Sequence, residues 1–117
     1  MVSFSILQDR GLLTVGGADR SSFLQGLISN DINGVTPDCA IWSALLTPQG
    51  KYLYDFFITE FEGRYLLDCE AARLMDLGRR LSKYKLRASV DLGKEEGMVV
   101  LAVYGAGVGE CFGLTEN

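Results

Sequence analysis

"TPQGKYLYDFFITEF", residues 47–61, predicts a turn that runs into a long β-strand, and the rest of the chain is interpreted around this strand. Pro48-Gln49-Gly50 has the composition of a turn, and the residues after it alternate between two faces. One face is predicted to carry Tyr52, Tyr54, Phe56 and Ile58, and the other Leu53, Asp55 and Phe57. Asp55 therefore stands between apolar neighbours. Because an ionised carboxylate is costly to bury without partners, Asp55 is expected to have a partner or a ligand.

Two further segments show the apolar spacing of amphipathic helices. The first begins after Asp19, a potential N-cap, and is expected to end near Asn30. The second runs from Glu70 to about Tyr84. Its apolar positions are Leu74, Leu77, Leu81 and Tyr84, and its predicted solvent-facing basic residues are Arg73, Arg79, Arg80 and Lys83.

The remaining pattern is that of strands joined by short turns. Residues 3–17 predict two strands in a hairpin turned at Asp9-Arg10-Gly11, and Glu62-Gly63 closes a second hairpin onto residues 64–69. Other strands are predicted at 39–47, 87–92 and 98–105. Hairpins dominate and βαβ units are scarce, so the predicted fold is α+β, with a mainly antiparallel sheet and two helices.

Composition excludes several classes of function. The chain has 117 residues, enough for about one domain, and its 48% hydrophobic content can form a core. Its net charge of −4 argues against direct binding of nucleic acid. The absence of histidine removes the usual general base near neutral pH and the commonest zinc ligand. The sequence therefore predicts neither a catalytic residue nor a metal site.

The cysteines and the hydropathy pattern bear on cellular location. Cys39, Cys69 and Cys111 lack CxxC spacing, which argues against both a zinc knuckle and a disulfide framework. No run approaches the roughly 18 apolar residues of a membrane span, and residues 1–15 do not resemble a secretory signal. These observations predict a cytoplasmic protein in a reducing compartment.

Three stretches taken together resemble a known family. They are "VGGADRSSFLQGLISNDI" (15–32), "WSALLTPQGKYLYDFFI" (42–58) and "YKLRASVDL" (84–92). Their order and spacing are similar to the amino-terminal part of the folate-binding YgfZ family, relatives of the glycine-cleavage T protein, an aminomethyltransferase. The resemblance runs from about Gly11 to Val103. It implies a folate-binding domain portion over residues 1–105 and a glycine-rich tail at 106–117, where the chain is expected to be truncated.

The resemblance implies a ligand and the residues that contact it. In this family an antiparallel α+β portion forms one wall of a channel that holds tetrahydrofolate. The match places Asp55 where an aspartate faces the pterin, and Trp42 where an aromatic residue contacts it. Leu67 and Asp68 match a neighbouring strand that borders the pocket. A carboxylate can accept hydrogen bonds from the N–H edge of a heterocycle, and an indole offers a flat surface for packing.

Two departures from the family pattern are visible. The family's diagnostic Lys-Gly-Cys-aromatic-x-Gly-Gln-Glu segment is absent, and Tyr54 stands where the aminomethyltransferase often has a second aspartate. The function implied is tetrahydrofolate binding in support of iron–sulfur cluster assembly or repair, including that of a tRNA-modifying enzyme. The alternatives are an aminomethyltransferase and a ligand-free interaction module left after truncation. Expected partners are folate and iron–sulfur enzymes or assembly factors.

Simpler interpretations of the same residues stay open. One alternative interprets Asp55 as an edge-strand aspartate paired with Arg87 or Arg20, and Trp42 as an ordinary core aromatic residue. If instead Trp42, Leu53, Phe57 and Leu67 line an open channel wall, they form an apolar patch that monomers seldom expose. A homodimer that covers this patch is therefore a further expectation.

Overall fold

The fold is known from a computed structural model that describes residues 3–95, 98 and 100–104, with residues 3–7 and 100–104 described as backbone only. The strands are β1 (Ser3–Leu7), β2 (Arg10–Gly16), β3 (Ile41–Leu46), β4 (Tyr52–Phe61), β5 (Arg64–Glu70), β6 (Asp91–Glu95) and β7 (Val100–Tyr104). The α-helices are α1 (Arg20–Gln25) and α2 (Leu74–Lys85), and short 3-10 helices span Ile32–Gly34 and Ala71–Arg73. The α+β prediction is confirmed. The predicted tail at 106–117 lies outside the described residues.

Five strands form one antiparallel sheet in the order β3-β4-β5-β2-β6. The β4–β5 connection is the predicted hairpin: Phe61 pairs with Arg64, and the two residues between them have positive φ, 53° at Glu62 and 78° at Gly63. Two consecutive positive φ values match the twist of a two-residue hairpin, and glycine adopts them without a steric penalty. This turn fixes the register of the central strands.

The predicted hairpin of residues 3–17 is wrong. β1 pairs with β7 in a separate two-stranded sheet, while β2 lies between β5 and β6 in the larger one. Turn residues 8–9 do separate β1 from β2, but the two strands do not pair with each other. Local turn composition cannot specify the pairing partner, which long-range contacts decide.

Two predicted boundaries also shift. The first helix ends at Gln25 rather than near Asn30, because Ile28 forms a β-bridge with Leu45 instead of continuing the helix. The strand expected at 87–92 begins only at Asp91. Residues 87–90 are held instead by Asp19, whose carboxylate accepts from Ser89 N at 2.7 Å and whose own N–H donates to Ser89 O at 3.0 Å. Asp19 therefore ties two segments together and makes no side-chain cap on α1.

One face of the five-stranded sheet packs against the helices and forms the core. The leucines predicted for the second helix are all buried, with Leu77 fully inaccessible and Leu74 and Leu81 nearly so. The buried core comprises Leu13, Val15, Leu24, Ile32, Val35, Leu45, Tyr54, Phe56, Ile58, Tyr65, Leu67, Cys69, Leu74, Leu77, Leu81 and Val90. Within the described ranges, neither helix is long and apolar enough to cross a bilayer.

Candidate ligand face of the sheet

The sheet has a second face, directed away from α2, which we call the outer face. Asp55, Trp42 and Asp68 all lie on it, as the register shows: Trp42 pairs with Phe57, Ala44 with Asp55, and Phe57 with Asp68. Residues paired across antiparallel strands project from the same face. The structure therefore brings together three of the four residues predicted to contact a ligand.

Two large aromatic side chains are exposed next to Asp55. The exposed fraction is 51% for Trp42 and 48% for Phe57. Since the two residues are direct cross-strand partners, their rings belong to one surface patch. The interpretation of Trp42 as an ordinary core aromatic residue is wrong, because half of its surface is accessible and it lies on the face away from the core cluster.

A β-bulge brings a third aromatic residue to this patch. Pairing changes register between Leu45, which faces Tyr54, and Leu46, which faces Tyr52. The inserted residue reverses the alternation, so Tyr52 lies on the outer face and not with Tyr54 as predicted from period two. Its exposed fraction is 55%.

Tyr52 also interacts with Asp55. Partial burial, the negative charge of Asp55 and a hydrogen bond with Asp55 together raise the pKa of the Tyr52 phenol. The phenol is therefore the donor and the carboxylate the acceptor. Asp55 is half-buried and keeps acceptor capacity beyond this one bond, because a carboxylate offers about four lone-pair sites.

Asp68 on the same face is engaged in an ion pair. Arg10 Nε donates to Asp68 Oδ1 at 2.8 Å, and Arg10 Nη2 donates to the backbone oxygen of Asp68 at 2.9 Å. Burial lowers the pKa of Arg10, but the hydrogen bond with Asp68 and its charge outweigh this, with smaller contributions from Cys69 and Asp55, so the pKa is raised. Sequence spacing carries no signal for this pair, which is 58 residues apart.

Leu67 does not join the outer face. It pairs with Ile58 and Leu13, is fully buried, and belongs to the helix-packed core. Successive residues of a strand point to opposite faces, so Leu67 and Asp68 cannot both line the same surface. This placement corrects the expectation that Leu67 is exposed on an apolar patch. Leu53, expected on the same patch, is partly buried and packs against the core.

The expected arginine partners of Asp55 are found elsewhere. Arg20 Nη1 donates to the Gly17 backbone oxygen at 3.0 Å, and the Arg20 guanidinium lies 5.9 Å from the centre of the Tyr65 ring. Arg87 is exposed just beyond the end of α2. Among the contacts described for the chain, neither arginine reaches Asp55, so the simple ion-pair explanation for this carboxylate is not supported.

Several known proteins are similar to this chain in sequence. No family model matches the chain. It is 33% identical over 96 residues to "Iron-sulfur cluster assembly factor IBA57 homolog, mitochondrial" of Mycosarcoma maydis, covering 71% of this chain and 24% of the relative. The protein of the same name in Pyricularia oryzae is 34% identical over 96 residues, covering 76% and 24%. The chain thus spans about a quarter of the length of these relatives.

The names of these relatives correct the predicted location. They are described as mitochondrial, whereas the absence of a signal or membrane segment led to the prediction of a cytoplasmic protein. That prediction is wrong by this comparison. The prediction rested on the lack of a recognisable secretory signal or membrane segment, and that lack is compatible with more than one compartment.

A solved structure shows the same architecture. The aminomethyltransferase T of the glycine cleavage system from Bartonella henselae superposes with a TM-score of 0.78 at 22% identity, covering 98% of this chain and 33% of the enzyme. At this identity the match shows the fold alone. The resemblance predicted from the sequence is thereby confirmed: nearly the whole chain has the fold of one third of the aminomethyltransferase, and its sequence is similar to the IBA57 iron–sulfur cluster assembly factors over about a quarter of their length.

Proposed function

We propose that the chain is part of a tetrahydrofolate-binding protein that supports iron–sulfur cluster assembly. The observation that carries the folate proposal is the position of Asp55, half-buried on the outer face beside the exposed rings of Trp42 and Phe57. The names of the sequence relatives support the link to iron–sulfur clusters.

The residues present fit the chemistry of a pterin. A pterin is flat and carries N–H donors along one edge, so it needs an apolar surface and an acceptor at its rim. Trp42 and Phe57 supply the surface, and the Asp55 carboxylate supplies the acceptor. The Tyr52 phenol interacts with Asp55, and a carboxylate with one such partner keeps further lone pairs for a ligand.

The pairing of Asp68 with Arg10 gives these two residues a supporting role in this proposal. The ion pair joins β2 to β5 on the outer face, next to Phe57, which is the cross-strand partner of Asp68. Asp68 then holds the neighbouring strand in place instead of contacting the ligand directly. Bound folate would supply a one-carbon carrier at this face, and the side chains described here would bind and orient it.

The proposed clients are iron–sulfur enzymes or their assembly factors, including an enzyme that modifies tRNA. The names of the relatives support the link to iron–sulfur cluster assembly, and the resemblance to the YgfZ family supports the link to a tRNA-modifying enzyme. Because the chain spans about a quarter of those relatives, client recognition by the whole protein is part of the proposal.

The folate proposal has a direct spectroscopic test. Trp42 is the single tryptophan of the chain, so its fluorescence reports on the proposed site without background from other positions. Titration with tetrahydrofolate under anaerobic conditions is expected to quench it. Asp55→Asn should weaken binding about tenfold or more, because a hydrogen bond to a charged group contributes about 1.5–3 kcal/mol.

Asp91→Asn is the matched control. It makes the same chemical change at an exposed carboxylate on β6, three strands away from β4 in the sheet. Binding should be unchanged in this variant. Calorimetry gives a second readout that does not depend on Trp42. Equal affinities for the unmodified chain and Asp55→Asn, in a folded protein, would contradict the proposal.

Self-association is a second component of the proposal. Trp42, Tyr52 and Phe57 expose about half of their surfaces on one face, which is an apolar patch of the kind that partners cover. We expect two copies to pair with this patch at or near the contact. Sedimentation at micromolar concentration should show a dimer that Trp42→Glu weakens, and a monomer for the unmodified chain would exclude it.

A further inference from the structure

Positive charge is concentrated on and just after α2. Residues 73–87 contain one acidic residue, Asp76, and carry a net charge of +5 in a chain of net −4, which leaves −9 for the remainder. The basic residues are Arg73, Arg79, Arg80, Lys83, Lys85 and Arg87. Positive charge is therefore concentrated in one segment of a chain whose total charge is acidic.

Two of these cations are held against the protein. The Arg73 guanidinium lies 4.1 Å from the centre of the Tyr54 ring, and the Tyr54 phenol donates to Asp76. Hydrogen bonds with Tyr84 and Tyr54 raise the pKa of Arg80. These contacts link Tyr54 of β4 to α2 and hold Arg73 and Arg80 against the protein surface.

Three of the other four cations are exposed to solvent. Arg79 and Lys83 are exposed and lie one helical turn apart on the same side of α2, about 6 Å along the axis. Arg87 is exposed just past the end of the helix. Two exposed apolar residues accompany them: Met75 is 62% exposed and Leu86 is 86% exposed.

An apolar cavity opens beside this row of cations. It has a volume of about 330 Å³ and lies between α2 and the edge strand β6. Its wall is mainly apolar, supplied by Leu13, Leu74, Met75 and Leu92, and Arg79 and Lys94 also line it. The space is sufficient for one large apolar side chain.

We propose that the solvent side of α2 and the adjacent cavity dock an acidic protein segment that inserts one apolar side chain into the cavity. Carboxylates of the segment pair with Arg79 and Lys83, and the anchor contacts Leu13, Met75 and Leu92. Charge complementarity gives orientation and a fast association rate, while the buried anchor supplies most of the affinity.

Two other polyanionic partners fit the surface less well. A nucleic acid would extend beyond the short row of cations into the field of the remaining chain, whose net charge is −9. It would also leave the apolar cavity unfilled. A membrane needs a broad apolar face to insert, whereas the leucines of α2 are buried in the core and its solvent side offers Met75 and Leu86.

This surface is separate from the outer face. α2 packs on the opposite side of the sheet from Asp55, so loss of one site leaves the other intact. The inference therefore does not depend on the folate proposal. Asp55→Asn should leave docking at α2 unchanged, and removal of the α2 charges should leave the folate titration unchanged.

The test uses the full chain and a short fluorescent peptide of glutamate and aspartate with one central leucine. Anisotropy should show binding that weakens with added salt. The double variant Arg79→Gln/Lys83→Gln should bind about three- to tenfold more weakly, the range expected from losing two exposed ion pairs. Lys51→Gln, which removes one positive charge at an exposed lysine in the β3–β4 turn, is the remote control and should bind like the unmodified chain.

The anchor is tested separately. A peptide with serine in place of leucine should bind at least about tenfold more weakly, because the serine loses the apolar contact that a buried leucine makes. Gly78→Ala adds a methyl group that meets Leu13 Cδ1 at 3.6 Å, an ordinary contact, and should reduce the leucine advantage without unfolding the chain. Equal binding of both peptides, or tighter binding of polyuridylate or of anionic lipid vesicles than of the leucine peptide, would overturn the inference.

Discussion

Gly17 joins β2 to α1 with a φ of +99°, and it packs directly on the segment that precedes β6. A Cβ at this position would lie 2.3 Å from the Ser89 backbone oxygen and 2.9 Å from its carbonyl carbon. Real Cβ atoms do not approach a carbonyl this closely, so Gly17→Ala must displace either the Gly17 turn or residues 89–90. Gly16 is the matched control, since its Cβ would meet Arg64 Cβ at 3.8 Å.

The expected cost of Gly17→Ala follows from two contributions. Holding a residue with a side chain at positive φ costs about 1–2 kcal/mol. Displacing residues 89–90 weakens the hydrogen bonds between Asp19 and Ser89, which adds about 1 kcal/mol. We therefore expect the free energy of unfolding to fall by about 2–3 kcal/mol relative to Gly16→Ala. Replacing glycine by alanine also lowers the conformational entropy of the unfolded chain, which favours folding. This contribution is the same in both variants, so it cancels when their free energies of unfolding are compared.

The assay is urea unfolding followed by circular dichroism and by Trp42 fluorescence. A lower midpoint at unchanged slope identifies a change in stability of the native state. Coincident transitions by the two probes show that the sheet and the helices unfold together. If Gly17→Ala and Gly16→Ala have the same midpoint, the close approach of Gly17 to Ser89 is not a determinant of the fold and the reasoning is refuted.

Three other predictions concern the core, a thiol and catalysis. Leu77→Ala should lower the free energy of unfolding by about 2–5 kcal/mol, because Leu77 is fully buried between α2 and the sheet; a loss below that of an exposed control such as Met75→Ala would contradict this. Burial raises the pKa of the Cys69 thiol to about 11, so this thiol should stay protonated at pH 7 to 9. In the Cys111→Ser variant, which leaves two cysteines, buried Cys69 should react with a thiol reagent far more slowly than Cys39. Equal reaction rates of the two thiols would contradict this prediction. The chain alone should not transfer an aminomethyl group from a lipoyl carrier, since it has no histidine and corresponds to 33% of the solved enzyme, and folate-dependent turnover would show the opposite.

The sequence alone determined the features that depend on local periodicity. Alternation along residues 54–58 placed Asp55 and Phe57 opposite Phe56 and Ile58, and the structure confirms this. The leucine spacing of the second helix predicted its buried side, and Glu62-Gly63 predicted the β4–β5 hairpin. These features follow from the backbone period of each element and from the φ preference of glycine, which neighbouring residues set.

Only the tertiary structure decided the features that depend on which strands meet. Turn composition pointed to a β1–β2 hairpin, yet β2 pairs with β5 and β6, which brings Arg10 to Asp68. Pairing of β3 with β4 introduces the bulge that moves Tyr52 to the side of Asp55, and pairing of β4 with β5 decides that Asp68 and not Leu67 shares that side. The register of the strands and the position of a bulge are those that give the whole sheet its lowest energy. Residues far apart in sequence therefore determine them together, and no local sequence pattern predicts them.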